Sequence, residues 1–201
     1  MHISEGVLAT PVLAGGAALT AAGLGVALKK LNNEDIPKVG VLSAGFFVAG
    51  LIHVPMGVAS VHLVLNGLVG LILGWLSFPA IFVGLLLQSI MFQYGGITAL
   101  GVNTFNMAVP ALISYFLFAR LATKTSKSYV SSASAFMAGS LAIFLSGILV
   151  GISLYLTGEA FLPAAKIVVA GHIPVMLIEG IITAACVTFL KKVKPELLSR
   201  T

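Results

Sequence analysis

Long apolar runs alternate with short polar segments along the chain, and this alternation predicts its fold. A helix needs roughly 20 apolar residues to cross the hydrocarbon core of a bilayer. Seven runs approach or meet this length, at about 7–28, 39–52, 61–76, 80–92, 107–119, 131–156 and 164–190. We therefore expect an all-α integral membrane protein with about seven transmembrane helices, forming a single polytopic domain over residues 1–201.

Small residues and breakers indicate how these helices pack. The first predicted helix is rich in alanine and glycine, which lets helices approach closely in lipid, so we expect it to be buried against its neighbours. The third carries Gly70 and Gly74 in a GxxxG pattern, which favours tight packing within the chain over a dimer face. A tight turn is predicted at 75–79, with Trp75 as an interfacial anchor. Residues 93–106 are too polar and too rich in glycine to face lipid, so irregular backbone is expected there, either lining a cavity or buried in protein.

Composition excludes several classes of protein. The chain is 59% hydrophobic and 8% charged, whereas a soluble domain has about 25% charged residues. The net charge of +5 therefore reports membrane topology, and no nucleic-acid partner is expected. The single cysteine, Cys186, excludes an intrachain disulfide and a cysteine metal cluster. HExxH, GxSxG and P-loop motifs do not occur, so we expect neither an enzyme nor ATP binding by a Walker motif.

The basic residues predict the orientation in the membrane. With seven spans, ten of the eleven Lys and Arg residues fall in the loops after spans one, three and five or in the C-terminal tail. Only Lys166 falls on the other side. Basic loops face the cytoplasm, so the N-terminus is expected outside and the C-terminus inside. Since no Lys or Arg precedes Lys29, the first helix does not resemble a cleaved signal peptide.

The first two residues form a candidate metal chelate. The Met1 amine, the His2 amide nitrogen and His2 Nδ1 can form two fused chelate rings, and one further imidazole would close a square. Square-planar nitrogen coordination favours Ni(II) or Cu(II), and Co(II) is also compatible. His62, expected at the start of the third helix, is the first choice for the fourth ligand, and His53 is the second. From the residues alone, a terminal His2 without any role stays an open alternative.

Other polar residues in or near the membrane allow two interpretations each. His53, beside a Pro-Gly turn, is either a structural hydrogen-bonding group or a metal ligand. Three amides either orient a ligand imidazole or join helices by hydrogen bonds: Gln88, Asn103 and Asn106. His172 and Glu179, seven residues apart, share one face of the last helix. They form either a functional relay or a buried structural pair.

Four sequence runs resemble the CbiM/NikM family, the membrane substrate-binding (S) components of energy-coupling factor (ECF) transporters for cobalt and nickel. The N-terminal run Met-His-Ile-Ser-Glu-Gly is similar to the start of that family. The other runs, in the family's order, are Ser-Val-His-Leu at 60–63, the glycine- and asparagine-rich run at 95–107, and Gly-His-Ile-Pro at 171–174 followed by Ile-Glu-Gly at 178–180. They are spread over nearly the whole chain.

The resemblance implies seven helices, with the N-terminal segment inserted into the bundle as part of the site. It implies metal-binding nitrogens from Met1, His2 and His62. One departure is His53, which stands where many members carry Asn, in a connection to His62 that is about one residue shorter. A further imidazole there would either change the metal preference or replace an amide that only supports the site.

The resemblance also implies a function: capture of Ni(II) or Co(II) from outside the cytoplasmic (inner) membrane of a prokaryote for uptake into the cytoplasm. The loop between spans two and three is expected to close over the metal. The partners implied are a transmembrane coupling (T) component, cytoplasmic ATPase subunits and a small accessory membrane protein. The metal is the transported substrate, and no resident cofactor is implied. Affinity should fall on acidification, since the amine and imidazole, with ordinary pKa values of about 7.7–8.0 and about 6.5, must lose protons. The alternative is a proton-coupled secondary carrier that uses His172 and Glu179.

Overall fold

The computed structural model describes residues 2–56 and 59–198, with side chains throughout these ranges except at 53–56 and 59–61. Almost all of this part is helical. The α-helices are α1 (Thr10–Lys29), α2 (Ile36–Ala49), α3 (Asn66–Leu73), α4 (Ser77–Phe92), α5 (Leu100–Lys124), α6 (Ser128–Thr157) and α7 (Leu162–Val193). Strands β1 (His53–Met56) and β2 (Ala59–His62) pair as an antiparallel hairpin in which His53 lies opposite His62.

Five segments of the described part are long and apolar enough to cross a membrane, at 10–29, 66–92, 100–124, 128–157 and 159–193. The protein is therefore a multi-pass membrane protein. By length and composition alone, α3 and α4 form one continuous segment. The side-chain contacts at their two ends show that the chain reverses between them. The His62 ring, just before α3, and Gln88, near the end of α4, both contact His2. A straight helix of 27 residues would separate its ends by about 40 Å.

The reversal occurs at a short 3₁₀ turn, Gly74–Leu76, which overlaps the tight turn predicted at 75–79; residues 77–79 already belong to α4. Gly74 has a φ of +55°, which costs glycine little but strains other residues. The Lys30 ammonium lies 5.6 Å from the centre of the Trp75 ring. The α3–α4 turn and the α1–α2 loop therefore lie at the end of the bundle away from His2.

Two predicted helix starts are wrong. The third apolar run was expected to be helical from 61, with His62 in its first turn, but His62 ends β2 and α3 begins at Asn66. Short apolar runs do not distinguish strand from helix by periodicity. The irregular backbone expected over 93–106 is confined to 93–99, where Gly95 and Gly96 have positive φ. Asn103 and Asn106 consequently lie on α5.

Helix α3 forms the centre of the bundle, and all eight of its residues are buried. It packs mainly against α5 and α6, while α7 packs along α6. On α1, only one face is buried, at Thr20, Gly23 and Ala27. Thr20 Oγ1 donates to the Gly101 carbonyl of α5 at 2.6 Å. The expectation that α1 is buried against its neighbours therefore holds for this face only and is wrong for the rest of the helix, where Leu19 and Leu28 are about half exposed.

The GxxxG pair packs inside the chain, as the sequence analysis favoured. A Cβ atom added at Gly70 would lie 2.2 Å from the Ala111 carbonyl oxygen of α5. One added at Gly74 would lie 2.9 Å from the Tyr115 ring. Both glycines therefore set how closely the α3–α4 turn approaches α5.

We expect Gly70→Ala to destabilise the fold by about 1–3 kcal/mol, the usual cost of overpacking, because the added methyl group meets backbone that cannot rotate away. The measurement is thermal unfolding in detergent. Gly15→Ala on α1 is the matched control, since a Cβ there meets no described atom within 4 Å. Equal melting temperatures for the two variants would contradict the tight α3–α5 contact.

Candidate metal site

The N-terminal segment before α1 is fixed to the bundle at residue 3. Ile3 is buried. Its N–H donates to Asn103 Oδ1 at 3.0 Å, and its carbonyl accepts from Asn103 Nδ2 at 3.0 Å. One amide side chain thus satisfies both backbone groups, as a neighbouring strand would. The register of the N-terminus against α5 is therefore fixed, and so is the place of residue 2.

Gln88 orients the His2 ring. His2 Nε2 lies 2.7 Å from Gln88 Oε1, and Gln88 Nε2 donates to the Phe47 carbonyl at 3.1 Å. Because the amide NH₂ is directed to a carbonyl, its oxygen faces the imidazole and accepts from Nε2–H. That tautomer leaves the ring's lone pair on Nδ1. Nδ1 is the nitrogen that can chelate together with the backbone amide of the same residue.

The His62 ring stacks on the His2 ring, with 4.6 Å between ring centres and 25° between planes. The structure thus brings these two candidate histidines together. His62 is buried, and its Nδ1 lies 2.9 Å from the Leu63 carbonyl oxygen. Donation from Nδ1–H to a carbonyl places the lone pair on Nε2. The two stacked rings therefore carry lone pairs on different ring positions.

His172 and Glu179 contact different parts of the chain. His172 Nδ1 lies 2.6 Å from the Val168 carbonyl of its own helix. Glu179, fully buried, accepts hydrogen bonds from the backbone N–H groups of Val64 and Leu65. Seven residues of helix separate the two side chains by about 10 Å. The described contacts thus join Glu179 to the turn after His62, and His172 to α7.

The remaining predicted residues divide between the site and the helix packing. Asn106 Nδ2 donates to Ser153 Oγ at 3.2 Å and so joins α5 to α6, one of its two expected roles. Met1 lies outside the described residues. For His53 only the backbone is described, in the hairpin opposite His62. Among the described residues, no three His, Cys, Asp or Glu side chains gather as a metal site.

Three polar or aromatic residues at the site or in the helix packing below it were not predicted from the sequence. The Tyr94 ring centre lies 6.0 Å from that of His2. Glu5 Oε1 accepts from the Thr98 N–H at 3.1 Å, which ties the N-terminal segment to the loop before α5. Asn66 donates to Met107 O at 3.1 Å and Ser146 Oγ at 2.9 Å. A polar residue inside the third apolar run was a signal that could have identified Asn66.

Two glycines explain the form of the glycine-rich run. A Cβ added at Gly95 would lie 2.7 Å from Asn103 Nδ2, and one at Gly96 would lie 2.6 Å from the Glu5 side chain. Both residues have positive φ, near +80° and +85°. Glycine is therefore favoured at both positions by conformation and by space, because the N-terminal segment passes directly against this loop.

Comparison with known proteins agrees with this architecture. The family model described as "CbiM: Cobalt uptake substrate-specific transmembrane region" matches residues 2–197. A "Putative metal transport protein" of Haemophilus influenzae is 43% identical over 202 residues, which cover 100% of this chain and 98% of that protein. The "Fused nickel transport protein NikMN" of Rhodobacter capsulatus is 33% identical over 99% of this chain and 64% of the fused protein.

A solved structure with a similar fold supports the same family assignment. A crystal structure of a transition metal transporter superposes with a TM-score of 0.75 at 27% identity, covering 96% of this chain and 93% of the other. The resemblance seen in the sequence is confirmed by the family match over nearly the whole chain. The chain therefore belongs to the CbiM family of cobalt uptake substrate-specific transmembrane proteins, and it is a membrane component of metal transport rather than an enzyme.

Proposed function

We propose that the chain is the substrate-binding component of an ECF-type ABC transporter and captures Ni(II) or Co(II) from outside the cell for uptake. The observation that carries the proposal is the stacking of the His2 ring, held by Gln88, on the buried His62 ring at 4.6 Å. The proposed partners are a transmembrane coupling component, cytoplasmic ATPase subunits and a small accessory membrane protein. The membrane is the cytoplasmic membrane of a prokaryote.

The proposed ligands are four nitrogens: the Met1 amine, the His2 amide nitrogen, His2 Nδ1 and His62 Nε2. The tautomers inferred from Gln88 and Leu63 leave lone pairs on the two imidazole nitrogens that this set requires. Metal–imidazole bonds are about 2.0–2.1 Å, so two nitrogens on one ion are at most about 4 Å apart. The ring centres are 4.6 Å apart, so both imidazoles lie within reach of one ion. A square of nitrogens favours Ni(II), with Co(II) as the other substrate of the proposal.

The proposed topology is a single polytopic domain of seven passes with the N-terminus outside. The reversal between α3 and α4 supports it, because these helices then provide two of the seven passes, and α2 provides one more beside the four remaining long helices. The basic groups at the far end support it too. Lys191 Nζ donates to Thr125 O at 2.7 Å and Lys38 Nζ donates to Leu197 O, which brings two basic loops and the tail together. Basic residues favour the cytoplasmic side, and this supports an outward-facing His2 end.

The alternative carrier mechanism has less support. It needs a proton relay between His172 and Glu179, yet both side chains contact backbone groups and lie about 10 Å apart along α7. The Glu179 carboxylate is occupied by two N–H donors from the turn after His62. We therefore propose the capture function alone.

The test is the affinity of the purified protein, with its native N-terminus, for Ni(II) and Co(II) by isothermal titration calorimetry. The ratio of the two affinities assigns the preferred metal. Gln88→Leu should lower the affinity by about 10–100-fold, the usual effect of removing a group that orients a ligand histidine. Ser43→Ala is the matched control, because Ser43 is also buried between α2 and α4 but bonds the Ala80 carbonyl. Equal affinities for both variants would argue against Gln88 as the residue that orients His2.

A further inference from the structure

Glu179 stands out as a carboxyl group with no exposed surface in the middle of a membrane helix. Ionisable groups in this setting are costly and usually functional. Its oxygens accept from two successive backbone N–H groups, those of Val64 and Leu65, and the Leu65 N–H lies 3.0 Å from each oxygen. These donors directly precede α3, where unpaired N–H groups and the helix dipole favour a negative charge. The carboxylate is thus stabilised where it lies, at the turn after His62.

The turn that Glu179 holds is conformationally strained. Leu65 has φ +57° and ψ +15°, the left-handed region that a leucine rarely adopts. Such a residue costs on the order of 1–3 kcal/mol and persists only where its surroundings fix it. Glu179 supplies that constraint from another helix, more than a hundred residues away in sequence.

A single peptide unit connects Glu179 to His62. The carbonyl of Leu63 and the N–H of Val64 belong to the same planar group, which rotates as one body. Glu179 accepts from the N–H end of this group, and His62 Nδ1 donates to the carbonyl end at 2.9 Å. Fixing one end therefore fixes the acceptor for the imidazole at the other. Hydrogen bonds in such a series also polarise one another.

From this geometry we propose that Glu179 is a positioning residue for metal capture. By holding the 63–64 peptide unit, it fixes the tautomer and the direction of the His62 ring, so that Nε2 carries the lone pair toward the metal. In many metal sites a carboxylate accepts a hydrogen bond directly from the ligand histidine. Here one peptide unit lies between the carboxylate and the histidine. The inference rests on the proposed function, in which His62 supplies one of the metal-binding nitrogens.

A double-mutant cycle tests this role. The proteins are wild type, Glu179→Ala, His62→Ala and the double variant, each purified with its native N-terminus and titrated with Ni(II). Glu179→Ala should lower the affinity by about 10–100-fold. In the His62→Ala background the same substitution should have no further effect, because the nitrogen that it positions is already gone. Losses that add in the double variant would overturn the proposal.

Two further variants separate positioning from stability. Thr183→Val removes another fully buried polar group one turn along α7, and it should bind Ni(II) like wild type. Glu179→Gln keeps an oxygen that can accept both N–H groups but loses the charge, so it should retain most of the affinity for Ni(II). It also serves as the test variant if Glu179→Ala fails to fold. If Glu179→Gln lowers the Ni(II) affinity, and lowers it equally in the His62→Ala background, the positioning role would also be overturned.

Spectroscopy gives a readout that a change in stability alone would not move. With Cu(II) as the probe, electron paramagnetic resonance reports the nitrogens bound to the metal. Wild type, Thr183→Val and Glu179→Gln should show four nitrogens, and His62→Ala should show three. Glu179→Ala should show a mixture of the three- and four-nitrogen signals, because its His62 ring is no longer held toward the metal. A signal from Glu179→Ala identical to that of wild type would overturn the positioning role. If wild type binds no Ni(II) tightly, or His62→Ala binds as wild type does, the proposed function fails and this inference fails with it.

Discussion

One residue added before Met1 should abolish tight binding of Ni(II). The extension converts the terminal amine into an amide and moves the new amine by up to about 3.8 Å along the chain. The chain cannot slip by one residue to compensate, because Asn103 binds both backbone groups of Ile3 and Gln88 holds the His2 ring. We expect the Ni(II) affinity to fall by more than about 100-fold, because the extension removes a metal ligand, whereas loss of a residue that only orients a ligand costs about 10–100-fold.

The measurement is titration of Ni(II) and Co(II) into the native and extended proteins, with mass spectrometry to verify that Met1 is the first residue. One residue added after Thr201 is the matched control, since it changes length and mass at the other terminus. Its affinity should equal that of the native protein. Unchanged binding in the N-terminal extension would move the ligand set away from the Met1 amine and toward the histidine side chains.

The candidate site could be read from the sequence where it depends on local chemistry. The pairing of His2 with a distant imidazole followed from the geometry of an N-terminal chelate, which requires one more nitrogen than positions 1 and 2 supply. His62 was chosen because it was expected at the start of the third helix, and the family resemblance implied the same residue; in the structure it instead ends β2, four residues before α3. The structure brings these two rings together. Gln88 and Asn103 were each expected either to orient a ligand imidazole or to join helices, and in the structure they contact His2 and Ile3.

Features that depend on long-range contacts could not be read in the same way. Nothing local in the sequence indicates that Glu179 bonds the turn at residues 64 and 65. The helix predicted from residue 61 begins instead at Asn66, because β2 pairs with β1 and Leu65 takes a left-handed conformation. An apolar run of this length is compatible with both strand and helix, and only the partner strand decides between them.

His62→Ala should lower the affinity for Ni(II) by more than about 100-fold, because it removes a proposed ligand whose loss exceeds that of a supporting group. His62 is buried and stacked on His2, and its Nδ1 is engaged by the Leu63 carbonyl, so the substitution removes an imidazole that the structure holds beside His2. The measurement is Ni(II) titration alongside thermal unfolding, so that a loss of affinity is compared only among folded proteins.

His53→Asn is the informative partner of this variant, because the two histidines lie opposite each other in the hairpin. If His53 only supports the site, the asparagine amide can replace its hydrogen bonding. The Ni(II) affinity should then stay within about 10-fold of wild type, the smallest loss usual for a residue that orients a ligand. A loss as large as that of His62→Ala would instead make His53 a ligand. The site would then have five nitrogens, a number that a planar square cannot accommodate. The ratio of Ni(II) to Co(II) affinity in His53→Asn then shows whether this imidazole, which departs from the family's pattern, sets the metal preference of the chain.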